Sequence, residues 1–366
     1  MPCGFLFSGG DRMEIQVHTD QRDYTVTVER GSLSKVRGII GDDAHVFIVS
    51  DSGVPQKWKD VLCRQFPNAH MHVFEQGEAS KNLDVFREIL EDMLACHLSR
   101  NDILIALGGG VTGDLAGFAA SAYMRGIRYV NIPTTSLSMI DSGIGGKTAV
   151  DLNGVKNCVG AFWQPYAVII DPDVLTTLPE RHLNNGMAEA VKEGLIRDPE
   201  LFAIFEQDDW KAHMNEIIQR CLVIKRDIVE RDERESGERK LLNFGHTFGH
   251  AYESLHGFDA YLHGECVAMG MMTVLRNAEI KQRLSRVLHR LDLPEACTFD
   301  REAVIRLVMN DTKLAPNSGP AGGSRSQVMS GNACRLAAEN LIAAMKREDG
   351  TIRTYEEMKA EGIETK

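Results

Sequence analysis

The chain has 366 residues, 43% of them hydrophobic and 25% charged, with a mean hydropathy of −0.20 and a formal net charge of −11. That length allows two ordinary domains with sizeable cores. The negative balance argues against a nucleic-acid surface, which needs clustered cations, and no apolar run reaches the roughly 18 residues of a membrane span.

The N-terminus, MPCGFLFSGGDRMEIQV, has no basic leader and too short an apolar stretch for a signal peptide, so a cytoplasmic location is expected. Eight cysteines are scattered without a C-x-x-C, as suits reduced thiols. Apolar runs of strand length follow at 46–50, 71–74, 102–107, 129–132 and 167–171. A helix is predicted over 81–98, where Leu83, Phe86, Ile89, Leu90, Met93 and Leu94 form a stripe of helical period. Strands alternating with helices predict an α/β domain over 1–178 with a parallel, Rossmann-like sheet of atypical strand order.

Beyond TTLPER (176–181) the strand signal disappears. Helices are predicted near 184–206, 211–230, 241–256, 262–282 and 301–310, giving an all-α domain over 179–366 with a cleft between the two. Residues 314–334 are rich in Gly, Ser, Pro and Asn and read as loop, and the last thirty are charged and helix-capable.

Gly108, Gly110 and Gly113 satisfy G-x-G-x-x-G after a strand and before a helix, where backbone can approach a pyrophosphate. The acid expected after the next strand is missing, but Asp51 ends an earlier strand and could hold a ribose under a different strand order. Tight-turn glycines are the plain alternative. The segment 141–157, DSGIGGKTAVDLNGVKN, is not a phosphate-loop match, and a solvated loop is the simpler reading of it. Glu189 and Lys192 stand at i, i+3, a spacing usual for surface salt bridges. Lys225 lies at the edge of an apolar stripe and can snorkel or enter the cleft.

Among the twelve histidines, His246 and His250 share a helical face in LLNFGHTFGH, and LHGE follows with His263. The glutamate that a zinc protease carries after its first histidine is absent. Three histidines and a glutamate on neighbouring helices favour a metal over satisfied core residues, though spacing alone does not choose the ligands.

Taken together, GEASKN, LGGGVTGDLAGFAASAYMRG, IPTTSLSMIDSGIGGKTAVDLNGVKNCVGAF, TLPERHLNNGMAEAVKEGLI, ERKLLNFGHTFGHAYE and LHGECVAMGM resemble the 3-dehydroquinate synthases among the sugar-phosphate cyclases. The resemblance runs from Glu78 to Met269 and implies an NAD-binding domain followed by a helical, metal-binding one. It implies a divalent cation, zinc or else cobalt, on Glu189, His246 and His263, with His250 moving protons. It places Asn243, Asp141, Arg125, Lys147, Lys156, Asn157, Lys192, Lys225 and Arg239 against an anionic sugar phosphate, and Lys313 as the nearest match to a further lysine. On the NAD side it implies Asp51, Glu78, Lys81, Gly109, Gly110, Asp114, Thr134, Thr135, Lys156 and Thr177. A homodimer is implied as well.

The implied chemistry is transient oxidation by NAD, phosphate elimination, re-reduction and aldol closure of a heptulosonate phosphate. Six cations converging on one cleft would then need an anionic ligand to offset their repulsion. Two departures stand out: MNDTKLAPNSG leads into loop-like sequence where the family has a strand-like run, and Glu193 adds a charge beside Lys192. The competing expectations are another sugar-phosphate cyclase, a metal-dependent polyol dehydrogenase, and a non-catalytic descendant.

Overall fold

The computed structural model describes residues 12–298 except 42–44, 154, 234, 236 and 257–259, together with 304, 307 and 308. Lys313 and the loop predicted over 314–334 lie outside the described residues. The strands are β1 (Arg12–Val17), β2 (Tyr24–Glu29), β3 (Val46–Asp51), β4 (His70–Phe74), β5 (Ile103–Gly108), β6 (Arg128–Pro133), β7 (Lys147–Leu152), β8 (Val155–Phe162) and β9 (Ala167–Ile170). The helices are α1 (Val36–Ile40), α2 (Gln56–Cys63), α3 (Leu83–Ala95), α4 (Gly110–Ala122), α5 (Glu180–Ile196), α6 (Pro199–Phe205), α7 (Met214–Arg231), α8 (His246–His256), α9 (His263–Val274) and α10 (Ala278–Arg290).

Seven strands form one sheet in the order β1-β2-β9-β6-β5-β3-β4, parallel except for β1. Alternation along each strand splits the core between the two faces. Phe47, Val49, Leu104 and Ala106 pack with Ile89 and Met93 of α3 and Leu115 and Ala119 of α4. Ile48, Ile105 and Val168 open onto a core that continues through Met187, Val191, Leu222, Val267 and Leu288, so the helical half is seated on the sheet by one apolar interior. Within the α/β half, buried Asp171 ties the end of β9 to the turn after β2, accepting from the backbone N–H groups of Gly31 (2.9 Å) and Leu33 (3.0 Å).

Several expectations change. The stripe on α3 is narrower than predicted: Ile89 and Met93 are buried, while Leu83 and Leu94 are exposed. Leu94 follows Met93 by one residue and is turned about 100° off the buried face. Segment 141–157 is not a solvated loop. It comprises a π-helical turn, Ser138–Ser142, and then the antiparallel hairpin β7–β8. Asn153 takes φ 52° at the tip, as an Asn-Gly hairpin turn requires. Among the described residues no helix is long and apolar enough to cross a membrane.

Candidate active site

Neighbouring strands β3 and β5 continue in opposite directions across the sheet, to β4 on one side and β6 on the other. Ligands of α/β sheets bind in the crevice at such a switch point. Asp51 closes β3 and Gly108 closes β5, so the acid strand precedes the glycine strand in the chain. A Cβ at Gly108 would lie 2.8 Å from Asp51 Oδ2 and 2.3 Å from Thr112 Oγ1. Asp51 accepts from the Thr112 hydroxyl (2.6 Å) and from Gly53 N–H (2.9 Å). Thr134 N–H donates to Gly108 O at 2.9 Å, and Thr135 lies against Gly109. Asp51, Gly109, Gly110, Thr134 and Thr135 therefore meet at the N-terminus of α4. Beside them buried Lys81 contacts Asp114 and Asn157 Oδ1, each at 2.5 Å, with Glu78 at 3.9 Å. Lys156 faces Glu78 at 3.8 Å. Thr177 accepts the Trp58 indole N–H at 2.7 Å.

A cavity of about 550 Å³ opens next to this crevice, walled by the hairpin, the π-helical turn, α5, α7 and the start of α8. It brings together Asp141, Lys147, Asn157, Lys192, Lys225, Arg239, Asn243, His246 and His250. Arg125 is not among its walls. Met124, Arg125 and Gly126 all have positive φ after α4 ends, and this turn leaves Arg125 exposed.

The cations are not bare, contrary to the reading of mutual repulsion. Lys147 Nζ donates to Glu235 Oε2 at 2.5 Å, Lys225 Nζ to Asp141 Oδ1 at 2.5 Å, and Lys192 Nζ to Glu189 Oε2. Arg239, buried, donates to the carbonyls of Glu233 (2.6 Å) and Gly145 (3.4 Å). Gly145 has φ 99° and no room for a Cβ, which would meet Arg239 at 2.5 Å. Glu189 and Lys192 form no surface pair: both are within 1% of full burial, because this face of α5 lies against α9 and the π-helical turn.

Behind the His246 wall, Glu189 Oε1 is buried without a hydrogen-bond partner, 3.5 Å from His246 Nε2 and 3.6 Å from His263 Nε2. Possible ligand atoms of the three residues all lie within 4.8 Å of one another. His250, Glu253 and His263 form a second such group. Glu253 Oε1, however, already engages His263 Nδ1 at 2.9 Å, the contact that orients a metal-binding imidazole. An orphaned carboxylate oxygen between two imidazoles is the donor set of a divalent cation, so the residues fit one.

The charge states agree. Burial, with Lys192 nearby, pushes His246 down to about 3, leaving a neutral imidazole with a free lone pair. Burial opposes charge on His263 too, but the Glu253 and Glu189 carboxylates outweigh it and hold the imidazolium up to about 10. Taking up a cation would therefore expel that proton. Burial would also raise Glu189, yet Lys192 and the two imidazoles hold it well below the usual carboxylate range. The sequence reading passed over Glu235 and Glu253. Glu253 could have been found three residues after His250 on α8, whereas Glu235 carries no local signal.

A glycine turn at a switch point, beside a Glu–His–His group and a cavity of paired lysines, defines a class of two-part enzymes with an α/β half and a metal-type helical half. Residues 71–185 match the 3-dehydroquinate synthase N-terminal family and 186–314 the 3-dehydroquinate synthase C-terminal family. Residues 298–365 match a molybdopterin cofactor-binding domain. The 3-dehydroquinate synthase of Clostridium botulinum is 40% identical over 279 residues, covering 73% of this chain and 80% of that protein. A 2-deoxy-scyllo-inosose synthase complexed with carbaglucose-6-phosphate, NAD+ and Co2+ superposes with a TM-score of 0.73 at 27% identity, over 82% of this chain and 87% of that one. The 2-epi-5-epi-valiolone synthase of Streptomyces hygroscopicus, solved with NAD+ and Zn2+, gives 0.71 at 29% identity, over 81% and 88%. The chain belongs to the 3-dehydroquinate synthase family.

Proposed function

We propose that the chain converts 3-deoxy-D-arabino-heptulosonate 7-phosphate to 3-dehydroquinate and phosphate, as a phosphate-eliminating lyase using NAD and a zinc or cobalt ion. The observation that carries this reading is the unpartnered Glu189 oxygen between two imidazoles, behind a cavity lined by lysines from both halves of the fold. Glu189, His246 and His263 would hold the cation. Asp51, Gly109, Gly110, Thr134 and Thr135 would hold NAD, flanked by Glu78, Lys81, Asp114, Lys156 and Thr177. When bound, NAD supplies a reversible hydride acceptor and the cation a Lewis acid.

The remaining work falls to the side chains of the cavity. Burial would raise Asp141, but Lys225 outweighs it and keeps the carboxylate ionised, ready to accept a bond from a substrate hydroxyl. Lys147 and Asn243, side by side on the Glu235 carboxylate, suit a phosphate. Lys192, Lys225 and Arg239 fix the carboxylate end, and Asn157 braces Lys81. His250, open to the cavity, is placed to carry a proton. Holding one substrate through several steps is mainly a positioning problem, which rigid, paired anchors solve.

The test incubates the purified full chain with the heptulosonate phosphate, NAD and zinc or cobalt. Equal amounts of phosphate and dehydroquinate, no net NADH, and loss of both with a chelator are expected. Net NADH from a polyol would overturn the reading in favour of a dehydrogenase. A second reading, a non-catalytic NAD- and metal-binding descendant, is favoured by one observation: residues 298–365 match a different family, starting before the synthase match ends at 314. Stoichiometric binding of NAD and metal without turnover would establish it.

The orienting contact from Glu253 makes a separate prediction. Glu253→Gln should weaken the metal site by about 10–100-fold, read by competition with a chromophoric chelator. Unchanged affinity would show that His263 needs no such support.

A further inference from the structure

We propose that Glu235 is a built-in counter-charge that keeps phosphate affinity low enough for the product to leave; this rests on the cyclase reading above. Glu235 lies between α7 and the turn Glu238–Asn243, with φ 58° and only 5% exposed. Its Oε2 accepts from Lys147 of the hairpin and its Oε1 from Asn243 Nδ2 at 2.9 Å. The carboxylate, itself on the cavity wall, thus holds the two groups best placed to receive a phosphate. Lys147 is 46% exposed on its side chain, so its remaining ammonium protons face the cavity. Burial acts to raise Glu235, but Lys147, Asn243 and Arg239 hold it below its ordinary value, so it carries its charge at neutral pH.

A phosphate seated on Lys147 would sit a few ångströms from this fixed negative charge, in a cavity where repulsion is weakly screened. The other acids nearby have different tasks. Asp141 is committed to Lys225, and Glu189 to Lys192 and the imidazoles. Asp114, also on the cavity wall, is engaged by Lys81, so among the described residues Glu235 is the carboxylate paired with Lys147 itself. An enzyme that releases phosphate on every turnover gains nothing from binding that product tightly. A counter-charge beside the lysine lowers the affinity while keeping Lys147 aimed by its contact with Glu235.

The probe is inorganic phosphate, titrated calorimetrically into the full chain and into Glu235→Gln, Glu235→Ala and Lys147→Met, with kcat and KM measured in parallel. Glu235→Gln is expected to bind phosphate on the order of tenfold more tightly. It should also show a lower KM and a lower kcat as release slows. A residue that only props up Lys147 would weaken phosphate binding and raise KM, so equal or weaker binding by the folded variant overturns the proposal. Glu235→Ala repeats the charge removal should the glutamine variant fail to fold. Phosphate binding lost in Lys147→Met but indifferent to Glu235 overturns this inference and leaves the cyclase reading standing. No phosphate binding by any form, Glu235→Gln included, overturns the inference, while the turnover measured in parallel decides the cyclase reading separately.

Discussion

His246→Ala is expected to lower turnover on the order of 10³-fold and to strip the chain of metal on dialysis, with little loss of folded stability. The rate effect follows from losing a Lewis acid worth several kcal/mol to the developing charge. The stability effect is small because the side chain lines the cavity and its polar contacts are long, Nδ1 to Phe244 O at 3.3 Å and Nε2 to Glu189 Oε1 at 3.5 Å. Its removal widens a cavity that already exists rather than opening a hole in the apolar core. His250→Ala serves as the contrast. His250 is outside the Glu189 group, so its variant should keep the metal and lose only proton transfer, a cost of about 10²–10⁴-fold. Metal content after dialysis, measured beside kcat, separates the two. If His250→Ala loses metal while His246→Ala keeps it, the ligands are His250, Glu253 and His263 instead, and the proposed site is wrong.

How far the sequence carries depends on which interactions are local. The parallel strands were legible because strands covered on both faces read as unbroken apolar runs, and β5 is buried at all six positions. β1 and β2 escaped that criterion. Their sequences, RMEIQV and YTVTVE, alternate polar and apolar residues, as suits a sheet margin. The hairpin hid behind Gly143, Gly145 and Gly146, which suggest a loop, although Asn-Gly at 153–154 is a turn signal in its own right.

In the site, residue identities were legible but pairings were not. Asp141 meets Lys225 across 84 positions and Glu235 meets Lys147 across 88, the first created by the packing of α7 against the π-helical turn and the second by the segment after α7 reaching the hairpin. The Glu189–Lys192 spacing was visible, but its burial depends on α9, seventy residues on. Arg125 shows the converse. Its residue type suits an anion site, yet within the single chain it is exposed and off the cavity wall.

Glu193→Met is expected to stabilise the chain at neutral pH by about 1–3 kcal/mol, the usual cost of an unsatisfied buried polar group. Glu193 is fully buried, and neither carboxyl oxygen has a hydrogen-bond partner. Burial raises its pKa well above the ordinary 4.5. The nearby charges do not reverse this: Lys192 on its own helix and Lys225 on α7 lower it, while Asp141 on the π-helical turn raises it; the Cys221 thiol of α7 lies against it. The native carboxyl therefore stays protonated over a range where the unfolded chain has already ionised. Its contribution is fully present below about pH 4.5 and is lost as pH rises through the folded-state value. Methionine, close in size and without a titrating group, removes that slope. The difference in unfolding free energy between the two proteins should thus widen from acid towards neutral pH, read by urea denaturation at a series of pH values. A constant difference would mean that Glu193 ionises alike in both states, and a Glu193→Met chain less stable at every pH would mean that the carboxyl makes a bond the protein needs.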